Sequence, residues 1–233
     1  MPAEFHHLSP VILTDEMFAL YTPGLTVSGS VAQRQAAYMI AEQRMVEDGL
    51  LTPLLPTQIS GTFNFPYPYN VIMLPHVYVR SLDAITAYGY AGGPNCDMTE
   101  LEACGRVRNY LGYIDTRIVA GYYAGACGAR TKPQFYDVTY TAGLSTGTAS
   151  GDARLHMALS MLARIELLEM LDPGALEGGG GNIGVQSYSV PGYSETRVKL
   201  EKTPFGSSPL SNKAWDLVSH LRIKRAMRFG RGR

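Results

Sequence analysis

The sequence contains no run of eighteen apolar residues, and its first ten residues include no basic stretch that leads into an apolar core. A membrane-spanning helix needs about 20 predominantly apolar residues, and a secretory signal peptide needs a charged start before its apolar core. We therefore expect no transmembrane helix, no signal peptide and no contact with a membrane.

Cysteine is scarce: the chain has three, Cys96, Cys104 and Cys127, and no CxxC pair. An odd number without paired spacing does not indicate a disulfide framework, and it suits reduced thiols in a cytosolic protein. His6 and His7 have no nearby cluster of acidic residues or cysteines that could complete a metal site. We predict no metal and no cofactor.

Net charge is also absent, because 20 Lys and Arg balance 20 Asp and Glu. The balance hides an asymmetry, since the last 22 residues hold seven of the bases and a single acid, Asp216. An acidic body with a basic tail indicates that the tail meets an acidic partner, either protein or nucleic acid. A solvated, disordered tail is the alternative.

The longest apolar segment is 151–171, for which Asp152 is a suitable cap and Pro173-Gly174 a suitable stop. Apolar residues cover nearly every side of this predicted helix, so it needs protein around most of its surface. Either the chain's own core or a neighbouring subunit supplies that cover. In the second case the subunit interface contains Leu155, Leu159, Leu162 and Leu168.

Three further helices are predicted from caps and periodicity. Between the second of them and the apolar helix, the chain has the prolines and the alternation that are typical of strands. The helices begin after Thr14, after Ser30 (ending before Gly49) and after Ser208. Predicted strands, which we expect to pair antiparallel with their neighbours in sequence, are 58–65, 71–74, 77–80, 81–90, 113–123 and 135–141. Segment 98–111 fits either a helix or a strand. Residues 185–190 favour an extended segment that lies along something else.

The sequence matches two short motifs that enzymes use, one for a catalytic serine and one for binding a dinucleotide cofactor. Gly143 to Gly147 matches the GxSxG nucleophile elbow, with Ser145 as nucleophile. We expect the following helix to begin too late for an elbow, because four residues stand between the motif and Asp152. Gly179 to Gly184 matches a dinucleotide-binding pattern, but it follows a helix instead of a strand. A serine hydrolase stays open as an alternative function.

Several short motifs follow one another in a fixed order: Tyr140, then the turn Thr141-Ala142-Gly143 before the apolar helix, then the stretch 184–189 after it. In this order the chain resembles the head-to-tail connector adaptors of tailed bacteriophages. The likeness runs from about Leu13 to Leu221. The chain departs from short family members in its longer region between Gly92 and Pro133.

The resemblance implies a non-enzymatic structural protein of the virion. It implies a homo-oligomeric ring, usually of twelve subunits, in the head-tail neck of the particle, assembled in the host cytoplasm. The ring binds the portal protein on one face and stopper or tail proteins on the other, and packaged DNA passes through its lumen without sequence-specific contact.

The resemblance also implies a basic carboxyl-terminal arm that reaches the portal. The arm residues are Arg222, Ile223, Lys224, Arg225, Met227, Arg228, Phe229, Arg231 and Arg233. A nucleic-acid-binding module with a basic tail is a further alternative.

The sequence thus predicts an α+β fold in which a mainly helical body carries an inserted antiparallel β-rich region. The predicted domains are residues 1–57 with 144–222 for the body, 58–143 for the insertion and 223–233 for the arm.

Overall fold

The chain forms two compact units, one built mainly of Leu51–Thr146 and one of His6–Leu50 with Gly147–Arg222. We call them the β unit and the helical unit. The computed structural model describes residues 9–22, 29–64, 71–88, 96–97, 107–108, 111–115, 135–171, 187–190, 193–196, 203–206 and 208–223.

Among the described residues, helices come first, seven strands follow, and two further helices, a pair of strands and a last helix complete an α+β arrangement. The helices are α1 (Asp15–Tyr21), α2 (Val31–Arg44) with a π-helical segment (Met45–Leu50), α3 (Thr146–Gly151), α4 (Ala153–Leu171) and α5 (Pro209–Leu217). The strands are β1 (Thr57–Asn64), β2 (Val71–Met73), β3 (Val79–Tyr88), β4 (Cys96–Asp97), β5 (Val107–Arg108), β6 (Tyr113–Asp115), β7 (Phe135–Ala142), β8 (Ser187–Val190) and β9 (Tyr193–Thr196). This α+β class is the one that the sequence predicts.

The predicted helix caps are present. The side chains of Thr14, Ser30 and Ser208 accept hydrogen bonds from backbone N–H groups in the first turns of α1, α2 and α5. Asp152 caps α4, since its carboxylate accepts from the backbone N–H groups of Arg154 at 2.9 Å and Leu155 at 3.3 Å. The backbone N–H groups of the first helical turn have no partner inside the helix, so a short oxygen-bearing side chain stabilises the start of each helix.

The predicted end of the second helix at Gly49 is wrong. After Arg44 the backbone continues as the π-helical segment, and Gly49 lies within it. A Cβ atom on Gly49 would stand 2.6 Å from Cζ of Phe205, so glycine is required here because an aromatic ring packs against the backbone.

The β unit contains a four-stranded sheet in the order β1-β7-β3-β4 and a three-stranded sheet in the order β2-β6-β5. All described pairs are antiparallel. The expectation of pairing between sequence neighbours is wrong for β7, which inserts between β1 and β3. The strand β7, the last of these four in sequence, therefore lies in the interior of the sheet. Local sequence carries no signal for such a pairing.

Two predicted segments, 77–80 and 81–90, form the single strand β3. Its pairing with β7 shifts between Val79 and Ser81 and again between Leu82 and Ala84. These bulges blur the period-two pattern on which strand prediction rests. Most of 98–111 and residues 116–123 lie outside the described residues.

One face of the four-stranded sheet forms the core of the β unit. Tyr136, Val138 and Tyr140 of β7 are buried there, with Ile59 of β1 and Ile85 of β3. Alternate residues on the other face are polar and hydrogen-bonded across strands, including Ser60 with Thr139 at 2.9 Å. This is the alternation expected of a sheet with one solvated face.

The helical unit is built around contacts of α4 with α1, α2 and α5. Leu155, Leu159 and Leu162 are fully buried, and even His156 and Ser160 have almost no exposed surface. The chain itself therefore covers most of the apolar surface of this helix.

Candidate functional site: the root of the carboxyl-terminal arm

The segment that leads into the predicted arm is held against the helical unit. After α5, the turn 218–221 is closed by backbone hydrogen bonds from Ser219 N to Asp216 O and from Leu221 N to Val218 O. Leu221 is buried and anchors the turn. We call Trp215, His220, Leu221 and Arg222 the arm root.

Arg222 stacks on an aromatic ring. Its guanidinium carbon lies 3.8 Å from the centroid of the Trp215 ring, a distance at which the ring face attracts a cation. Burial lowers the pKa of Arg222, which the nearby Asp216 carboxylate counteracts. Arg222 was predicted as an arm residue, and its guanidinium is already engaged within the chain.

Trp215 also contacts a second aromatic ring. The Phe205 ring meets it edge to face, with centroids 5.2 Å apart and an interplanar angle of 88°, a favoured geometry for aromatic pairs. Arg44 donates a hydrogen bond to the carbonyl oxygen of Phe205 and forms an ion pair with Glu166 of α4. The contact between Trp215 and Phe205, together with Arg44, therefore connects the arm root to α2 and α4.

His220 fixes the root to the start of α4. Its Nε2 lies 2.6 Å from a carboxylate oxygen of Asp152. Burial alone would raise the pKa of Asp152, but the hydrogen bonds from His220 and from the Leu155 and Arg154 N–H groups outweigh it, so the pKa is lowered. One carboxylate thus caps α4 and holds the turn after α5.

Of the predicted arm, Arg222 and Ile223 are described, and Ile223 is half-buried. The remaining arm residues, Lys224, Arg225, Met227, Arg228, Phe229, Arg231 and Arg233, lie outside the described residues. Their role as a binding arm stays a prediction.

The leucines predicted for a subunit interface fall into two groups. Leu155, Leu159 and Leu162 are fully buried in the single chain, so an interface role would require the helix to be uncovered on assembly. Leu168 is half-exposed near the end of α4 and keeps surface for a neighbour.

The polar residues of α4 contribute contacts that sequence reasoning missed. His156 Nε2 lies 2.7 Å from the carbonyl oxygen of Ala149 in α3, which fixes the angle between the two helices.

In α2, the buried Glu42 carboxylate accepts hydrogen bonds from three backbone N–H groups, those of Val11, Ile12 and Leu13. No local pattern predicts these pairings, because the partners of Glu42 are about 30 residues away.

The expectation that the helix after Ser145 begins too late is wrong. The strand β7 ends at Ala142 and α3 begins at Thr146, so the local order is strand, turn, helix, as in a nucleophile elbow. However, α3 has only six residues, and each described histidine has a hydrogen-bond partner other than Ser145: Tyr140 for His76, Ala149 for His156 and Asp152 for His220.

The motif residues Tyr140 and Gly143 have structural positions in the β unit. The Tyr140 hydroxyl lies 2.8 Å from Nδ1 of His76 and both side chains are buried. Gly143 has a φ of +141°, and its N–H donates to the carbonyl oxygen of Tyr78 at 3.2 Å. Both residues shape the turn that leads from β7 to α3.

Among the described residues, no group of three or more His, Cys, Asp or Glu side chains is arranged to hold a metal ion. His6, His7, Cys104 and Cys127 lie outside that part of the chain. None of the described helices is long and apolar enough to span a membrane.

Comparison with solved structures gives the fold a context. A structure described as the neck of an empty GTA particle, computed with C6 symmetry, contains a chain similar to this one. The similarity covers 97% of each chain, with a TM-score of 0.51 and 15% sequence identity. The two chains share a fold. The shared fold extends over both units, and it is consistent with the resemblance to head-to-tail connectors. No sequence profile of a known family and no curated protein matches the chain.

Proposed function

We propose that the chain is a structural head-to-tail adaptor of a phage-like particle. Copies of it form a ring at the portal vertex and connect the portal to the stopper or tail, while DNA passes through the lumen. The observation that supports this most directly is the fold shared with a chain of the GTA particle neck, which extends over 97% of both compared chains.

A ring of copies fits this proposal. The similar neck was computed with sixfold symmetry, and a ring of twelve copies is compatible with such symmetry because twelve is a multiple of six. Closed cyclic rings need one surface of a subunit to meet a different surface of the next. We propose Leu168, at the exposed end of α4, as part of that contact.

The arm supplies the proposed attachment to the portal. The sequence of residues 222–233, RIKRAMRFGRGR, interleaves cations with Ile223, Met227 and Phe229. Charge speeds encounter with an acidic partner, and the apolar side chains supply anchors for a groove on the portal. The arm root gives this segment a fixed point of departure, because Arg222 and His220 are held by Trp215 and Asp152.

The protein acts by assembly and carries out no chemical reaction. The strand-turn-helix order around Ser145 is the one observation that favours a hydrolase. Hydrolysis of short-chain esters by the purified protein, abolished by Ser145→Ala, would establish that second function. We expect no such activity.

The decisive experiment is electron cryomicroscopy of particles that contain the chain, combined with deletion of residues 224–233. We expect density for a ring of copies between portal and tail. The deletion removes only residues beyond the arm root, so we expect a folded protein that no longer joins portal-bearing heads. Heads that acquire tails normally without the arm would contradict the proposal for the arm, and a neck without this chain would contradict the adaptor function.

A further inference from the structure

The outer strand of the four-stranded sheet, β1, has one edge with which no other described strand pairs. Among the described residues, β1 pairs with β7 and with no other strand. It has eight residues, longer than the usual five or six. Its other edge therefore presents a row of backbone N–H and C=O groups that another strand can pair with.

Protein sheets normally protect such an edge with charged residues, proline, bulges or a very short strand. The sequence of β1, TQISGTFN, contains no charged residue and no proline. Its register with β7 runs without a shift from Thr57↔Ala142 to Asn64↔Phe135. All four forms of protection are absent from this strand.

The opposite side of the same sheet is protected. The strand β4 is only two residues long and pairs with β3 at Thr86 and Ala87. Between Val79 and Ala84, β3 carries two bulges in its pairing with β7. The contrast within one sheet indicates that the β1 edge is kept open for a partner strand.

A suitable donor exists in the same chain. The hairpin of β8 and β9 pairs from Ser187↔Thr196 to Val190↔Tyr193 and joins no other strand among the described residues. An isolated two-stranded hairpin is at best marginally stable in water. Its two strands contain one charged residue, Glu195, so the hairpin brings little charge to the uncharged β1.

We propose that the β8–β9 hairpin of one copy adds to the free β1 edge of the next copy and extends its sheet from four strands to six. The inference rests on the proposed ring. Each copy carries one acceptor edge (β1) and one donor hairpin (β8 and β9) in different parts of the chain. Pairing the hairpin of one copy with the edge of the next is a head-to-tail contact, the kind that cyclic rings use. Backbone hydrogen bonds along the added strand give the contact its strength, as in other cases of strand addition.

Disulfide trapping in particles tests the pairing. In a background with the three native cysteines replaced by serine, Thr62→Cys on β1 is combined in turn with Ser187→Cys, Ser189→Cys or Ser194→Cys on the hairpin. A disulfide requires Cα atoms about 4.4 to 6.8 Å apart, so it forms only if the strands lie side by side. We expect at least one pair to give a ladder of covalent multimers.

The matched control places the cysteine at Thr139 on β7, which lies on the same sheet face but one strand away from the edge. We expect no ladder from it or from any single-cysteine variant. If microscopy shows the chain in the neck and none of the pairs links two copies, strand addition is overturned while the adaptor function stands. A bond that forms only within one chain also overturns it. If the chain is absent from the neck, both proposals fail.

A second pair of variants tests the edge without cysteines. Ser60→Lys and Thr139→Lys remove the same Ser60–Thr139 hydrogen bond and add the same charge, but only Ser60 is on the edge strand. We expect Ser60→Lys to lower incorporation into the neck about fivefold relative to Thr139→Lys, with equal melting temperatures of the monomers. Equal incorporation of the two variants would overturn the inference.

Discussion

At the scale of single residues, Gly143 is a position where only glycine fits the backbone. Its φ of +141° is one that residues with a Cβ rarely adopt, and a Cβ there would lie 2.3 Å from the carbonyl oxygen of Leu55. The clash is with backbone, which cannot rotate away. The turn between β7 and α3 therefore requires glycine for two independent reasons.

We expect Gly143→Ala to lower the free energy of unfolding by about 3 kcal/mol or more, since backbone strain and the clash add. Urea denaturation of the two proteins measures it. Gly147→Ala is the control: Gly147 lies in α3 with nothing within 4 Å of its added Cβ, so alanine should stabilise by about 0.5 to 1 kcal/mol. Equal effects of the two changes would contradict this account of the turn.

Asp152 joins two elements through one carboxylate, and its lowered pKa gives the contact a pH dependence. Because the pKa is lower in the folded than in the unfolded chain, ionised Asp152 stabilises the fold above the ordinary carboxyl pKa of 3.8. That contribution is lost as the pH falls below 3.8 and through the folded pKa.

We expect Asp152→Asn to cost about 1 kcal/mol at pH 7, because asparagine keeps a capping oxygen but loses the charge that faces His220. The difference from the unchanged protein should shrink as the pH falls below the ordinary carboxyl pKa. Chemical denaturation at a series of pH values measures it, with Glu169→Gln on the exposed side of α4 as the control. A difference that stays constant down to pH 2 would show that the charge is irrelevant.

At the scale of elements, α4 combines a buried and an accessible part. Leu159 has no exposed surface, whereas Leu168, less than three turns further on, is half-exposed. The two positions therefore separate the packing of the chain from any contact between copies.

We expect Leu159→Asp to unfold the helical unit, since an unpaired carboxylate would be buried at a cost of several kcal/mol. Leu168→Asp should leave the helical circular dichroism spectrum and the melting temperature nearly unchanged, yet reduce ring formation in the presence of portal. Circular dichroism and light scattering on both variants measure these outcomes. A Leu168→Asp protein that still assembles fully would remove this residue from the proposed interface.

At the scale of the whole molecule, the chemistry of the proposed arm allows a test of whether its partner is a protein or a nucleic acid. Binding to DNA depends on phosphate contacts and weakens steeply with salt. Anchoring in a protein groove depends on apolar side chains and persists at moderate salt.

We expect Met227→Ala and Phe229→Ala to weaken attachment to portal-bearing heads more than Arg225→Ala, and we expect the loss to persist at moderate salt. Co-sedimentation of each variant with heads at two salt concentrations measures it. Should only the arginines matter and binding collapse with salt, the arm binds nucleic acid or an acidic surface instead.

The sequence by itself determined where four of the helices begin and the class of the fold. Thr14, Ser30, Asp152 and Ser208 begin helices because a capping oxygen satisfies N–H groups only a few residues away, and such short-range chemistry is legible in sequence. The content of Val, Thr and Tyr in 135–141 likewise predicted a strand there, and β7 confirms it.

Only the tertiary structure decided which distant residues meet. The position of β7 between β1 and β3, the packing of Phe205 against Gly49 and the bond from His220 to Asp152 join residues 47 to 156 positions apart in the chain. Each of these contacts forms only when the rest of the fold brings the two residues together. The open edge of β1 belongs to the same class, because a strand is an edge only by virtue of the strands that do not pair with it.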